Sequence, residues 1–215
     1  MIEIPKQCFI LGAGGQCRVV ISILSEYKNK YQIAGILDTG IPDLNETILG
    51  FNVIGGLNEL QSLFRQGCQV AFIAIGDNRK RSEYFNLLNE KSFKLPNLVS
   101  LNASIDSTVT MGQANIVCSM AHIGPGVKIG DNNLINTGAI LDHESILQDH
   151  CHLAPGSILC GRSQLGTNVF VGAGTTIINK IKISSDQTIG AGAVVAKDID
   201  SPVGVYAGVP ARLLS

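Results

Sequence analysis

Residues 135–161 read INTGAILDHESILQDHCHLAPGSILCG, with aliphatic residues at Ile135, Leu141, Leu147, Leu153 and Leu159, six apart. Stepping by six in both directions extends the pattern without a slip, from Ile105 through Met111, Val117, Ile123 and Ile129, and on to Leu165, Val171, Ile177, Ile183, Ile189 and Val195. Four residues after these positions the side chain is mostly small, as at Ala121, Ala139, Ser145, Cys151, Ser157, Ser163, Thr175 and Ala193. The residue directly after is often glycine, as at Gly112, Gly124, Gly130, Gly166, Gly172 and Gly190. Side chains recur every 3.6 residues on a helix face and every 2 on a strand face, so neither produces a period of six. One aliphatic and one small residue per hexad predicts a parallel β-helix over residues 105–198. Each hexad then makes one side of a triangular coil, eighteen residues to the turn, with the aliphatic column inside and the small residues in the corners. The glycines are expected to carry positive φ at the turns.

Residues 1–98 follow another rule, alternating short apolar runs with amphipathic stretches. Strands are predicted at Cys8–Leu11, Ile33–Leu37 and Val70–Ile75, and helices over Val19–Tyr27, Leu57–Arg65 and Asn78–Lys91. This βαβ grammar gives a small parallel sheet, so two domains are expected, 1–98 and 99–215.

The chain has 215 residues, 45% hydrophobic, with 16 Lys plus Arg against 17 Asp plus Glu. A formal net charge of -1 gives no basic surface for nucleic acid or an anionic membrane. The opening MIEIPKQCFILGAGG has too short an apolar run for a signal peptide, and no later run is long enough to span a bilayer, so a cytoplasmic location is expected. The six cysteines lack CxxC spacing and read as small buried residues in a reducing compartment.

Gly12-Ala13-Gly14-Gly15 follows the first strand and opens a helix, where backbone amides can hold a phosphate, although a plain tight turn has the same composition. Asp38, after the second strand, is placed either to accept from a ribose or base or to form a turn.

All four histidines, His122, His143, His150 and His152, lie in the repeat region. Three readings compete: zinc ligands, surface histidines, and a general base. No two histidines are four or five residues apart, as a hexapeptide-helix zinc site would have them, and no metal is expected. With an ordinary pKa of about 6.5, histidine can take the proton of an amine at neutral pH. His143 is flanked by Asp142 and Glu144, so a carboxylate is at hand to orient its ring.

The stretches FILGAGGQCRVV, GILDTG, AIGDNRKR, INTGAILDHESILQDHCHLAPGSILCG, VFVGAGTTI and VYAGVPARLL resemble the PglD/NeuD group of bacterial sugar acetyltransferases over residues 1 to about 212. The resemblance implies a Rossmann-like sugar-nucleotide-binding domain followed by a left-handed β-helix, in a homotrimer that uses acetyl-CoA. It implies N-acetylation of a nucleotide-linked amino sugar, of the UDP-4-amino-4,6-dideoxy type, in surface glycan biosynthesis. The alternatives are O-acetylation of sialic or legionaminic acid, and a non-catalytic hexapeptide scaffold.

Carried over residue by residue, His143 is the expected base, Glu144 its partner with Asp142 as the alternative, and Asn136 an active-site asparagine. His152 is expected to meet acetyl-CoA. Gly161, eighteen residues after His143, is expected one coil above it with its amide toward the thioester oxygen. Ala173 and Ala191 are expected to continue that column as the acetyl-CoA track. Gly14, Gly15, Gln16, Asp38, Asp77 and Asn78 are implied for the nucleotide sugar; many relatives have histidine where this chain has Gln16. His143 and His152 are nine residues apart, half a coil, so within one chain they point to opposite sides of the prism and a shared site requires two subunits.

Overall fold

The computed structural model describes residues 5–27, 29–200 and 202–214. The chain divides into two compact units, residues 1–98 and 99–215.

The first unit runs β1 (Lys6–Leu11), α1 (Gly15–Glu26), β2 (Tyr31–Leu37), β3 (Thr47–Ile48), β4 (Phe51–Gly55), α2 (Leu60–Arg65), β5 (Val70–Ile73) and α3 (Asn78–Glu90). The sheet order is β3-β4-β2-β1-β5, parallel except for the β3–β4 hairpin. Cys8, Phe9, Ile10 and Leu11 are fully buried, as a central parallel strand covered on both faces must be. Helix α1 begins at Gly15, ahead of the predicted start at Val19, and buries Cys17, Val20, Ile21, Ile23 and Leu24 along one face. The β3–β4 hairpin is absent from the sequence reading. Its turn is Leu49-Gly50, both at positive φ, and leucine there lacks the Asn-Gly signature that announces such turns.

The chain leaves β1 for β2 on one side and returns to β5 on the other, so the carboxyl ends of β1 and β5 form a topological switch point, flanked by the starts of α1 and α3.

The second unit is a left-handed parallel β-helix of two-residue strands. One face stacks Ser104–Ile105, His122–Ile123, Ile140–Leu141, Ile158–Leu159, Thr176–Ile177 and Val194–Val195. The next stacks Thr110–Met111 through Lys182–Ile183. The third includes Ile116–Val117, Leu134–Ile135, His152–Leu153, Phe170–Val171 and Thr188–Ile189. Register is eighteen throughout, as in Ile123↔Leu141 and Leu141↔Leu159. From Val117 to Val195 every sixth residue is buried, with Leu141, Leu147 and Leu153 at 0%, 1% and 1% exposure, while Ile105 and Met111 at the open end are half-buried. The last coil is closed by the antiparallel pair Val205–Ala207 and Arg212–Leu213, which covers a strand edge that would otherwise be open.

Two features correct the sequence reading. The glycines directly after the aliphatic residues do not take positive φ. That conformation falls two residues later, at Gly126, Gly138, Gly156, Gly174 and Gly192, and at non-glycine residues such as Asn132, Glu144, His150 and Arg162. What the first set provides is room for the coil above: a β-carbon on Gly172 would lie 2.5 Å from the Ala191 amide nitrogen, and one on Gly166 the same distance from that of Ser185. The small-residue column also contains buried asparagines. Asn115 Oδ1 accepts from Asn133 N at 2.8 Å and Nδ2 at 3.0 Å, and Asn133 Oδ1 accepts from Cys151 N at 2.8 Å, a ladder that satisfies these groups where water is excluded.

Candidate active site

The corner at residues 142–145 links the first face to the second and stands opposite the third. Asp142 Oδ1 accepts from His143 N at 2.8 Å, which fixes the turn and occupies that carboxylate locally. Glu144 Oε2 lies 3.2 Å from His143 Nδ1, whereas Asp142 Oδ2 is 3.9 Å from Nε2. Glu144 is therefore the carboxylate within hydrogen-bonding reach of the ring, through Nδ1, which leaves Nε2 without a carboxylate at hydrogen-bonding distance. The imidazole lies against Gly161, one coil on: a β-carbon at Gly161 would meet Nε2 first, then Cε1 at 2.6 Å and Cδ2 at 2.9 Å. The Gly161 N–H meets no acceptor among the described residues.

The residue that sequence reading missed is Arg162. Its Nε donates to Glu144 Oε2 at 2.8 Å, and its amide donates to the His143 carbonyl at 2.9 Å. Hydrogen bonds from Arg162 and then His143, with the guanidinium charge, hold the Glu144 carboxyl below the usual carboxylate range. The step of eighteen that places Gly161 over His143 also places Arg162 over Glu144, so the signal was present in the repeat.

His152 lies on the third face. Its Nε2 is 3.4 Å from Asn136 Nδ2 and its ring meets Phe170 edge-on at 5.1 Å between centroids. Asn136 Oδ1 accepts from Thr137 N at 2.8 Å. Within the chain Asn136 is thus joined to His152, on the side away from His143.

Ala173 and Ala191 do not continue the Gly161 column. The step from Gly161 to Ala173 is twelve residues, two sides of the triangle and not a full coil. Lys180 N donates to Gly161 O, whereas Gly174 N donates to Pro155 O and Gly192 N to Ala173 O. Pro155, Ala173 and Ala191 therefore stack on the corner that follows the third face, beside Asn136 and His152. The Ala173 and Ala191 N–H groups, like that of Gly161, have no acceptor among the described residues. At the same turn position in other coils Asn136 caps the Thr137 amide and Asp142 that of His143, proline removes it at Pro125 and Pro155, and the amides of Ser119, Asn179 and Ser185 are likewise without an acceptor among the described residues.

In the first unit Gly12 has φ +113° and a β-carbon there would lie 2.8 Å from Ala74 O, so this glycine is required by the fold. Gly14 and Gly15 are different: a β-carbon on either meets nothing within 4 Å. The N-terminus of α1 that they open carries no side-chain cap. Asp38 Oδ1 accepts from Gly40 N at 3.1 Å, and Asp77 caps α3 by accepting from Lys80 N at 2.9 Å, so both hold turns. Arg81, fully buried, donates to Ile75 O, Gly76 O and Asn78 Oδ1. Because arginine only donates, Asn78 must turn its oxygen to it, which directs Nδ2 the other way. Asn78 Nδ2 and Gln16 Nε2 are both buried without a hydrogen-bond partner, one on each side of the switch point.

Among the described residues no group of three His, Cys, Asp or Glu side chains is placed to hold a metal ion. All six cysteines are free, and burial pushes the thiols of Cys8 and Cys118 up to about 12 and those of Cys17 and Cys68 to about 11, far from a nucleophile's range. No described helix is long and apolar enough to cross a membrane.

Residues 7–88 match the PglD N-terminal domain. The whole chain superposes on perosamine N-acetyltransferase from Caulobacter crescentus, solved as a histidine-to-asparagine variant with CoA and GDP-perosamine, with TM-score 0.91, 34% identity, and coverage of 100% of this chain and 99% of that one. It is similar also to the acetyltransferase domain of PglB from Neisseria gonorrhoeae in complex with acetyl coenzyme A, with TM-score 0.90, 30% identity, and coverage of 98% and 100%. Comparison with curated protein sequences gives no significant match. A hexapeptide β-helix whose neighbours hold CoA and acetyl-CoA defines an acyltransferase. The chain belongs to the PglD/NeuD family of bacterial sugar acetyltransferases, enzymes that depend on acetyl-CoA.

Proposed function

We propose that this protein N-acetylates the amino group of a nucleotide-linked 4-amino-4,6-dideoxy sugar, with His143 as general base. The observation that carries the reading is the His143–Glu144 pair resting against Gly161: Nδ1 faces a carboxylate, Nε2 is the ring atom nearest Gly161 and makes no hydrogen bond among the described residues, and the Gly161 amide is likewise unengaged. The sugar amine attacks the thioester carbonyl carbon of acetyl-CoA while Nε2 takes its proton. Glu144 stabilises the imidazolium, and the Gly161 N–H donates to the oxygen as it becomes negative. The C–S bond then breaks, and the imidazolium returns the proton to the leaving CoA thiolate.

The nucleotide sugar is assigned to Gly14, Gly15, Gln16, Asp38, Asp77 and Asn78 at the switch point, where the open glycines and two unpartnered amides await an anionic, hydrogen-bonding ligand. Acetyl-CoA is assigned to His152, Asn136, Ala173 and Ala191, with the Gly161 amide, across a homotrimer interface, since His143 and His152 lie on opposite sides of the prism. A role in cytoplasmic assembly of surface glycan precursors follows from these two substrates.

Resemblance to the family points to UDP as the carrier; GDP-perosamine in the relative at 34% identity favours GDP as a second reading. Thiol release from acetyl-CoA, measured against UDP- and GDP-linked 4-amino sugars and free and CMP-linked sialic acids, tests the proposal. Release with an amino sugar nucleotide supports it, and release with sialic acids alone overturns it in favour of O-acetylation.

A further inference from the structure

We infer that Arg162 is a positioning residue for the transfer: by sharing the Glu144 carboxylate with His143, it sets where that carboxylate lies and how readily the ring holds a proton. This rests on the reading of His143 as the base.

A single oxygen, Glu144 Oε2, accepts from both Arg162 Nε at 2.8 Å and His143 Nδ1 at 3.2 Å. The arrangement is built into the coil. Arg162 stands eighteen residues after Glu144, and its amide is tied to the His143 carbonyl at 2.9 Å, so the guanidinium stem starts directly above the pair. The side chains of His143, Glu144 and Arg162 are 48%, 54% and 56% exposed, so apart from the ring's contact with Gly161 they are held chiefly by one another.

The groups around the ring fix the sign of the effect. Asp142 and Glu144 face it from its own corner. Cys160, Gly161 and Arg162 face it from the coil above, with Lys180 one coil further, and Gly124, Pro125 and Gly126 on the coil below carry no charge. Arg162 is the cation paired with Glu144 among the described residues. Removing the guanidinium takes a positive charge from beside the imidazolium and returns the full carboxylate to Nδ1. Both changes favour the protonated ring, so its titration midpoint must rise. For exposed charges at this separation the rise is about 0.2 to 0.7 of a pH unit.

The test follows the His143 ring by NMR in histidine-labelled full-length protein, its signal identified by its loss in His143→Ala. The kcat–pH profile is recorded in parallel with acetyl-CoA and an accepted amino sugar nucleotide. Arg162→Ala should raise the ring midpoint and move the acidic limb of kcat upward by the same amount, with little change in KM for either substrate. Arg162→Lys, which keeps the charge, should return the limb most of the way. Because residue 162 has φ 61°, Arg162→Asn is the second neutral variant, suited to that conformation should alanine strain the corner. A midpoint and limb that stay in place in both neutral variants, with a raised KM for the nucleotide sugar or acetyl-CoA, would overturn the inference and make Arg162 a phosphate contact. Should His143→Ala retain turnover, the base reading fails, while the ring midpoint still decides whether Arg162 governs the pair.

Discussion

The imidazole of His143 occupies the space where a side chain at Gly161 would begin. Gly161 does not need to be glycine for its backbone, since its φ lies outside the left-handed region. Its missing β-carbon serves the ring.

Gly161→Ala should therefore leave the fold intact, shifting stability by no more than about 1 kcal/mol in thermal or denaturant unfolding. Turnover should fall by about 10²-fold, the cost of a reacting group moved by roughly an ångström. A variant with unchanged kcat would mean the ring can work from another position.

His143→Ala should lower kcat by about 10² to 10⁴, the range for a positioned general base, and Glu144→Ala by less. The wild-type rate should rise with pH through a histidine-like ionisation, because only the neutral ring accepts a proton. Glu144 does not supply that limb: Arg162 and His143 hold its carboxyl below the usual range, so it stays ionised throughout. As a depressed carboxyl it favours folding above its unfolded pKa, and that small contribution fades only as pH falls through its lowered folded value. Persistence of the acidic limb in His143→Ala would assign it to another group.

Much of this was legible because the β-helix repeats with a fixed step. Leu141, Leu147 and Leu153 are buried as the period of six requires, and Gly161 lies over His143 as the period of eighteen requires. The same arithmetic places Arg162 over Glu144, a pairing visible only when charges as well as small residues are followed up the column. Applied carelessly it misplaces Ala173 and Ala191, which stand two sides away from Gly161. The position of positive φ was not legible, because residues as varied as Ala114, Met120, Asn132, Glu144, Arg162, Lys180 and Asp186 hold it, more often than glycine does, so composition points to the wrong residue of the turn. In the first unit the apolar spacing marks β1, α1, β2 and β5. The hairpin at Leu49-Gly50 and the buried Arg81 have no periodic signal, since each depends on contacts distant in sequence.

The asparagine ladder gives a stability prediction. Asn133→Ala removes the acceptor for Cys151 N and the donor to Asn115 Oδ1 inside a closed coil. Asn115 Oδ1 still accepts from the backbone N–H of residue 133, so Cys151 N is the group left unpaired, at a cost of about 1 to 3 kcal/mol, seen as a lower midpoint in urea. Acetyl transfer per folded molecule should be unaffected, since the ladder lies on the corner that leads into the third face. Stability equal to wild type would mean that water enters the coil.

Gly14→Val tests the switch point. Nothing within 4 Å opposes a β-carbon there, and φ is -77°, so folding should be unchanged. The KM for the nucleotide sugar should rise about tenfold or more, about 1.4 kcal/mol of lost binding, while that for acetyl-CoA stays. An unchanged KM for the sugar would leave the open glycines as features of the turn alone.

The assembly of the site between protomers can be tested by complementation. His143→Ala and His152→Ala chains are each expected to be impaired alone, the first in kcat and the second in acetyl-CoA binding. If each site of a threefold ring takes His143 from one subunit and His152 from the next, every mixed trimer contains one interface with both histidines. Random mixing of equal amounts makes about three quarters of trimers mixed, and one site in three intact in each, so about a quarter of wild-type sites should return. The assay is run at low acetyl-CoA, where the His152→Ala defect shows, on co-expressed chains whose mass is checked by light scattering. Within one chain His143 and His152 lie on opposite sides of the prism, so a site confined to one protomer would gain nothing from mixing. Recovery at that level therefore demands both a trimer and a shared site, and no recovery in verified mixed trimers would return the cofactor to the protomer that carries the base.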